Sequence, residues 1–171
     1  MELALAKKKV AFALDYPELE LARRGAEAVG PEVGVLKVGL ELFIQAGPAA
    51  VKMAQETGAE VFLDLKLHDI SKTVERAVLT ACEFGCDYLT LHAGGGPGML
   101  EAASEAVART GAKLCLLGVT VLTSLDESDL ESVGVHEAPA QQAERLARLA
   151  KNCGLGGLLC STQEVGRLRQ V

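Results

Sequence analysis

Six short apolar runs, each followed by a segment of helical periodicity, recur at similar spacing between Val10 and Val171. That alternation restricts the fold more than any other feature, because strands separated by helices pair in parallel through right-handed crossovers. The strands are read as Val10–Leu14, Val33–Gly39, the apolar start of Glu60–Ile70, Asp87–His92, Lys113–Val121 and Gly157–Cys160. Helices are expected from Pro17 through Val29, at Leu40–Phe43 with Pro48–Thr57, at Ser71–Phe84 and at Met99–Arg109. Two more pieces follow at Glu127–Ser132 and Ala138–Asn152, and a last helix starts at Thr162. The class is α/β, and the choice is between an open doubly wound sheet and a (β/α)₈ TIM barrel. Polar residues favour the barrel: Asp15, Lys37, Asp64, Lys66, His92, Thr123 and Ser161 stand at or just beyond the C-terminal ends of the six strands. In a barrel those ends ring one mouth, whereas an open sheet uses mainly one crevice. The first strand is not followed by the GxGxxG of a dinucleotide fold. Barrels typically need about 250 residues. The expectation is therefore a single truncated TIM-barrel domain over residues 1–171, with about six of the eight strand–helix units.

The third strand carries the sharpest chemistry. Val61, Phe62 and Leu63 are β-favouring and apolar, and then Asp64, Lys66 and Asp69 place three charges where a buried strand tolerates few. Residues two apart in a strand share a face, so Asp64 and Lys66 are expected on the same side. Taking such charges from water costs several kcal/mol per ion before pairing. A structural ion pair at a strand end is one account; a preorganised Asp-Lys-Asp array facing a substrate is the other.

Charge and cysteine usage narrow the partners. With net charge -6 the chain lacks the basic stripe of a nucleic-acid binder, and an anionic ligand must be held by a local group of cations. Cys82, Cys86, Cys115, Cys153 and Cys160 are odd in number and lack the paired spacing of a zinc site, which reads as small packing residues in a reducing cytosol. Apolar stretches fall short of the roughly 18 residues of a membrane helix, and the chain reads as cytoplasmic, with no membrane partner. Gly94-Gly95-Gly96 is either a turn or a phosphate cradle; His92 is either a strand-end histidine satisfied by backbone or a ligand, and His68 is unassigned.

Asp64-Leu65-Lys66-Leu67-His68-Asp69 closely resembles the DxKxxD signature of orotidine 5'-monophosphate decarboxylases. Ala13-Leu14-Asp15, Lys37-Val38-Gly39, Leu91-His92-Ala93, Val119-Thr120-Val121-Leu122-Thr123-Ser124 and Cys160-Ser161-Thr162-Gln163-Glu164 match the bacterial family in type and order. The resemblance implies decarboxylation of orotidine 5'-monophosphate to uridine 5'-monophosphate without metal or organic cofactor. By the same resemblance Lys66 is the proton donor, with Asp64 and Asp69 beside it. Asp15, Lys37 and Thr73 reach the ribose, and Thr123 or Ser124 holds the pyrimidine; His92 and Ser161 are further candidates at the substrate. Asp69 and Thr73 are expected to come from the neighbouring subunit of a homodimer. The phosphate-gripping loop and arginine of the family belong to the two units expected beyond Val171. The alternatives are a magnesium-dependent sugar-phosphate lyase or decarboxylase of the same suprafamily, against which VTVLTS counts, and an inactive truncated remnant.

Overall fold

The computed structural model describes residues 2–171. Its strands are β1 (Ala11–Ala13), β2 (Val35–Gly39), β3 (Glu60–Leu67), β4 (Tyr88–His92), β5 (Cys115–Val119) and β6 (Gly157–Leu159). They form one sheet whose spatial order repeats the chain order, β1-β2-β3-β4-β5-β6. Pairing is parallel between β1 and β2, β2 and β3, and β5 and β6. A sheet that never reverses its order has no topological switch point. It therefore excludes the doubly wound alternative and agrees with the singly wound, barrel-type reading.

The helices are α1 (Glu2–Lys7), α2 (Leu19–Val29), α3 (Leu40–Ala46), α4 (Pro48–Gln55), α5 (Ser71–Phe84), α6 (Pro97–Thr110), α7 (Glu127–Ser132), α8 (Pro139–Asn152) and α9 (Val165–Leu168). Their buried faces follow the helical period: Val74, Val78 and Ala81 on α5, and Ala143, Leu146, Ala147 and Ala150 on α8. The α7 start is closed by a reciprocal cap, in which Asp129 N–H donates to Asp126 Oδ1 at 2.9 Å and Asp126 N–H donates to Asp129 Oδ2 at 3.1 Å. Most boundaries shift by one to three residues from the sequence reading, and three of the differences are informative. Pro17 stands before α2 rather than opening it, β5 ends at Val119 rather than Val121, and the last helix is the single turn α9. The α1 helix has no counterpart in that reading; its six residues are too few to show a decisive period.

The chain divides into two compact units. The first comprises Met1–Leu65, Thr80–Leu89 and Ala112–Leu114. Its core is built from Leu36 and Val38 of β2, Val61 and Leu63 of β3, and Leu42, Val51 and Met53 of α3 and α4. Gln55 closes the end of α5 within this unit, its Nε2 donating to the carbonyls of Phe84 at 2.9 Å and Gly85 at 3.0 Å, which supplies partners that a helix C-terminus lacks. The second unit comprises Lys66–Leu79, Thr90–Gly111 and Cys115–Val171. In it Ala93, Val121, Leu130, Ala143, Leu146 and Ala150 pack as one cluster, with Val135, Leu155 and Leu158 against them. Truncating a buried leucine in either core costs about 2–5 kcal/mol.

Candidate active site

In the first unit, β2 is buried at every position except Lys37, which is partly exposed. Parallel strands are covered on both faces, so a lysine in the middle of one requires an electrostatic reason. Lys37 Nζ donates to Asp15 Oδ1 at 3.1 Å and lies 3.6 Å from Asp64 Oδ2. Asp15 follows β1 by two residues, and its position is tied to β2 because Leu14 N–H donates to the Lys37 carbonyl at 2.9 Å. The two carboxylates differ sharply: the Asp15 side chain is 64% exposed and that of Asp64 is 7% exposed. One face of the ammonium thus meets a buried anion and another meets an anion open to solvent. Gly39 ends β2 beside this group; a Cβ there would sit 3.1 Å from Asp15 Oδ1 and 3.4 Å from Lys37 Nζ.

In the second unit, Lys66 has φ 49°, which makes it the one non-glycine residue with positive φ among those described. Such a backbone costs of order 1–3 kcal/mol and persists where its surroundings enforce it. The period-two rule ends at this residue, so it does not fix the direction of the Lys66 side chain as the sequence reading assumed. Lys66 N–H donates to Thr90 Oγ1 at 2.9 Å. Beyond it His68 is exposed, and its ring lies 5.3 Å from that of His92, tilted by 37°. His92 closes β4, and the chain turns through Ala93–Gly95 into α6. Gly96, at φ 85°, supplies the turn its glycine-only conformation.

Asp69 and Thr73 are exposed, as is Ile70 between them at 72%. Asp69 Oδ1 accepts from Ile70 N–H at 2.6 Å, and Thr73 N–H donates to the Ile70 carbonyl at 3.0 Å, so the start of α5 is closed locally. Thr123 and Ser161 line one open cleft of about 530 Å³ with Val121, Leu122, Gln163 and Glu164. Next to Val121 in sequence, Thr120 N–H donates to the Leu159 carbonyl at 3.2 Å, tying the end of β5 to that of β6. Ser161 is engaged within its own turn, where its Oγ accepts from Gln163 N–H at 3.3 Å and its own N–H donates to Glu164 Oε2 at 3.1 Å. Ser124 is exposed next to Thr123 and is not among the residues lining the cleft.

The structure therefore joins Asp15, Lys37 and Asp64 in one unit, and in the other it joins His68 with His92, and Thr123 with Ser161. The sequence reading assigned no role to Thr90 or Gly39. Thr90 had a signal, a hydroxyl in the middle of the apolar run Leu89-Thr90-Leu91.

Residues 8–171 match the family model described as "Orotidine 5'-phosphate decarboxylase / HUMPS family". The chain is 50% identical over 162 residues to the orotidine 5'-phosphate decarboxylase of Anaeromyxobacter sp. (strain K), covering 95% of this chain and 70% of that one. It is 46% identical over 169 residues to the enzyme of the same name from Salmonella newport, covering 98% of this chain and 69% of the relative. The crystal structure of orotidine 5'-phosphate decarboxylase from Lactobacillus acidophilus superposes with a TM-score of 0.82 at 33% identity, over 94% of this chain and 75% of that one.

Proposed function

The chain belongs to the orotidine 5'-phosphate decarboxylase / HUMPS family, and from that premise we propose how its own residues convert orotidine 5'-monophosphate to uridine 5'-monophosphate in pyrimidine synthesis. The observation that carries the proposal is the Asp64-x-Lys66-x-x-Asp69 stretch of β3 and its end, in which a partly buried lysine is held in a left-handed backbone. The bond from C6 to the carboxylate breaks, its electron pair stays on C6, and carbon dioxide leaves. The Lys66 ammonium opposes the developing charge and then gives C6 its proton; water reprotonates the lysine. A fixed cation is worth most in a site that excludes water, where it needs no reorganisation as charge appears. Asp64 and Asp69 flank that lysine in sequence.

Lys37 and Asp15 bind the ribose hydroxyls: an ammonium donates and a carboxylate accepts, and the exposed face of Asp15 remains open to a ligand. Thr123 or Ser124 holds the pyrimidine edge, and His92 and Ser161 complete the substrate surroundings. The exposure of Asp69, Ile70 and Thr73 supports a homodimer in which Asp69 and Thr73 reach the partner's substrate. Residues 1–171 act in this scheme as one catalytic domain, which works in the cytoplasm. None of the described helices is long and apolar enough to cross a membrane.

The test is Lys66→Ala, assayed for turnover of orotidine 5'-monophosphate. The loss should exceed about 10³-fold, or ~4 kcal/mol of transition-state stabilisation; activity within tenfold of the parent refutes the proton-donor role. Mixing Lys66→Ala with Asp69→Ala chains should restore part of the activity, since one site of each mixed dimer is intact. Failure to recover despite proven subunit exchange returns Asp69 to its own chain's site.

A further inference from the structure

Thr90 stands at the centre of β4 between Leu89 and Leu91, and all three are 0% exposed. A hydroxyl in such a place is costly unless it is hydrogen-bonded. Its Oγ1 accepts the Lys66 N–H at 2.9 Å. In a regular parallel ladder a strand N–H donates to a main-chain carbonyl of its neighbour; here a side chain accepts, at the residue whose φ is 49°. A lysine gains nothing intrinsic from the left-handed region, where its Cβ crowds the following carbonyl. The strained residue and the side-chain acceptor coincide on one hydrogen bond.

We propose that Thr90 is a positioning residue for the decarboxylation: by taking the Lys66 N–H it holds the left-handed turn of the backbone there and fixes the point from which the ammonium reaches C6. The inference rests on the reading of Lys66 as the proton donor. Loss of the acceptor lets the backbone relax toward the extended region, which redirects the side chain from its Cα onward. Small misplacements of a reacting group cost about 10²-fold in rate while leaving binding contacts elsewhere unchanged.

Three measurements decide it. Thr90→Val keeps the shape and removes the acceptor; Thr90→Ser keeps the acceptor. Turnover of orotidine 5'-monophosphate by Thr90→Val should show kcat lower by about 10–100-fold with KM within about threefold, and Thr90→Ser should stay within about threefold of the parent. In the unmodified protein the Lys66 amide should exchange with solvent as slowly as that of Leu63 in the same strand. A Thr90→Val kcat within threefold of the parent, a Thr90→Ser loss as large as that of Thr90→Val, or a fast-exchanging Lys66 amide each overturns the proposal. If the valine variant does not fold, the serine variant and the parent's amide exchange still decide it, a tenfold fall in serine kcat or fast exchange being fatal. Lys66→Ala separates the two readings: its retained activity would refute the proton donor, whereas the exchange of the parent's Lys66 amide judges the hydrogen bond alone.

Discussion

β2 and β3 each carry a lysine inside a parallel sheet, and the backbone beneath the two lysines differs. Lys37 sits in regular strand backbone, one residue in an otherwise buried run, and is held through its side chain by Asp15 and Asp64. Lys66 sits in a left-handed backbone and is held through its main chain by Thr90. The first arrangement fixes where a charge ends; the second fixes where a side chain begins. A group that only binds substrate tolerates the first, because carboxylates recentre a displaced ammonium. A group that delivers a proton to one carbon benefits from the second, because its path is set at the Cα.

The contrast breaks most visibly in catalysis. Lys37→Ala should lower kcat/KM by about 10²-fold, or ~2.7 kcal/mol, through weaker ribose binding. That is smaller than the loss at Lys66, and steady-state kinetics on both variants gives the ranking. If Lys37→Ala costs as much as Lys66→Ala in kcat, the division between binding and proton delivery is wrong.

A smaller effect, of opposite sign at the two lysines, tests the backbones themselves. At Lys66 glycine should be more stable than alanine by about 1 kcal/mol, since only the alanine retains the Cβ that the left-handed region penalises. At Lys37 glycine should be less stable than alanine by about 0.5–1 kcal/mol, the ordinary cost of glycine in a strand. Urea midpoints of the four variants read both differences, and equal signs at the two sites would remove the distinction.

The smallest effect belongs to ion pairs outside the candidate site residues. Hydrogen bonds from Lys72 and then Arg109 hold the Glu75 carboxyl below its ordinary pKa, and those from Arg148 and then Arg167 do so for Glu144. A depressed folded-state value contributes stability above the unfolded carboxylate value of about 4.3 and loses it as pH falls through the folded value. Glu75→Gln and Glu144→Gln should therefore flatten the acid side of the stability profile slightly, as acid titration of unfolding would show. Turnover should be unaffected, in contrast to any change at Lys37.

The legibility of these features in the sequence follows the same division. Side-chain patterns are readable: the apolar run of β2 exposes Lys37 as an anomaly, and α5 and α7 lie where the sequence reading puts them, at Ser71–Phe84 and Glu127–Ser132. The left-handed Lys66 is not readable, because a lysine carries no local preference for that region and its acceptor is 24 residues away in sequence. The α9 turn is shorter than its sequence suggests for a related reason: Leu168 is its one buried residue, so the segment offers little apolar period to propagate a helix. Cys86 is legible as a packing residue. Burial pushes its thiol up to about 11, with the neighbouring Asp87 adding to the effect, which keeps it a poor nucleophile near neutral pH.

Gly39 carries a consequence for how such a sequence drifts. Its backbone, at φ −83° and ψ 174°, is open to any amino acid, so selection for turn geometry has no purchase there. What a substitution meets instead is the Asp15–Lys37 pair, within 3.1–3.4 Å of the first carbon of any new side chain. Mutation at 39 is filtered through two charges carried by residues elsewhere in the chain. The permitted alphabet at this residue should widen once Lys37 or Asp15 is lost, and a lineage that gives up the ion pair should replace the glycine more readily than one that keeps it.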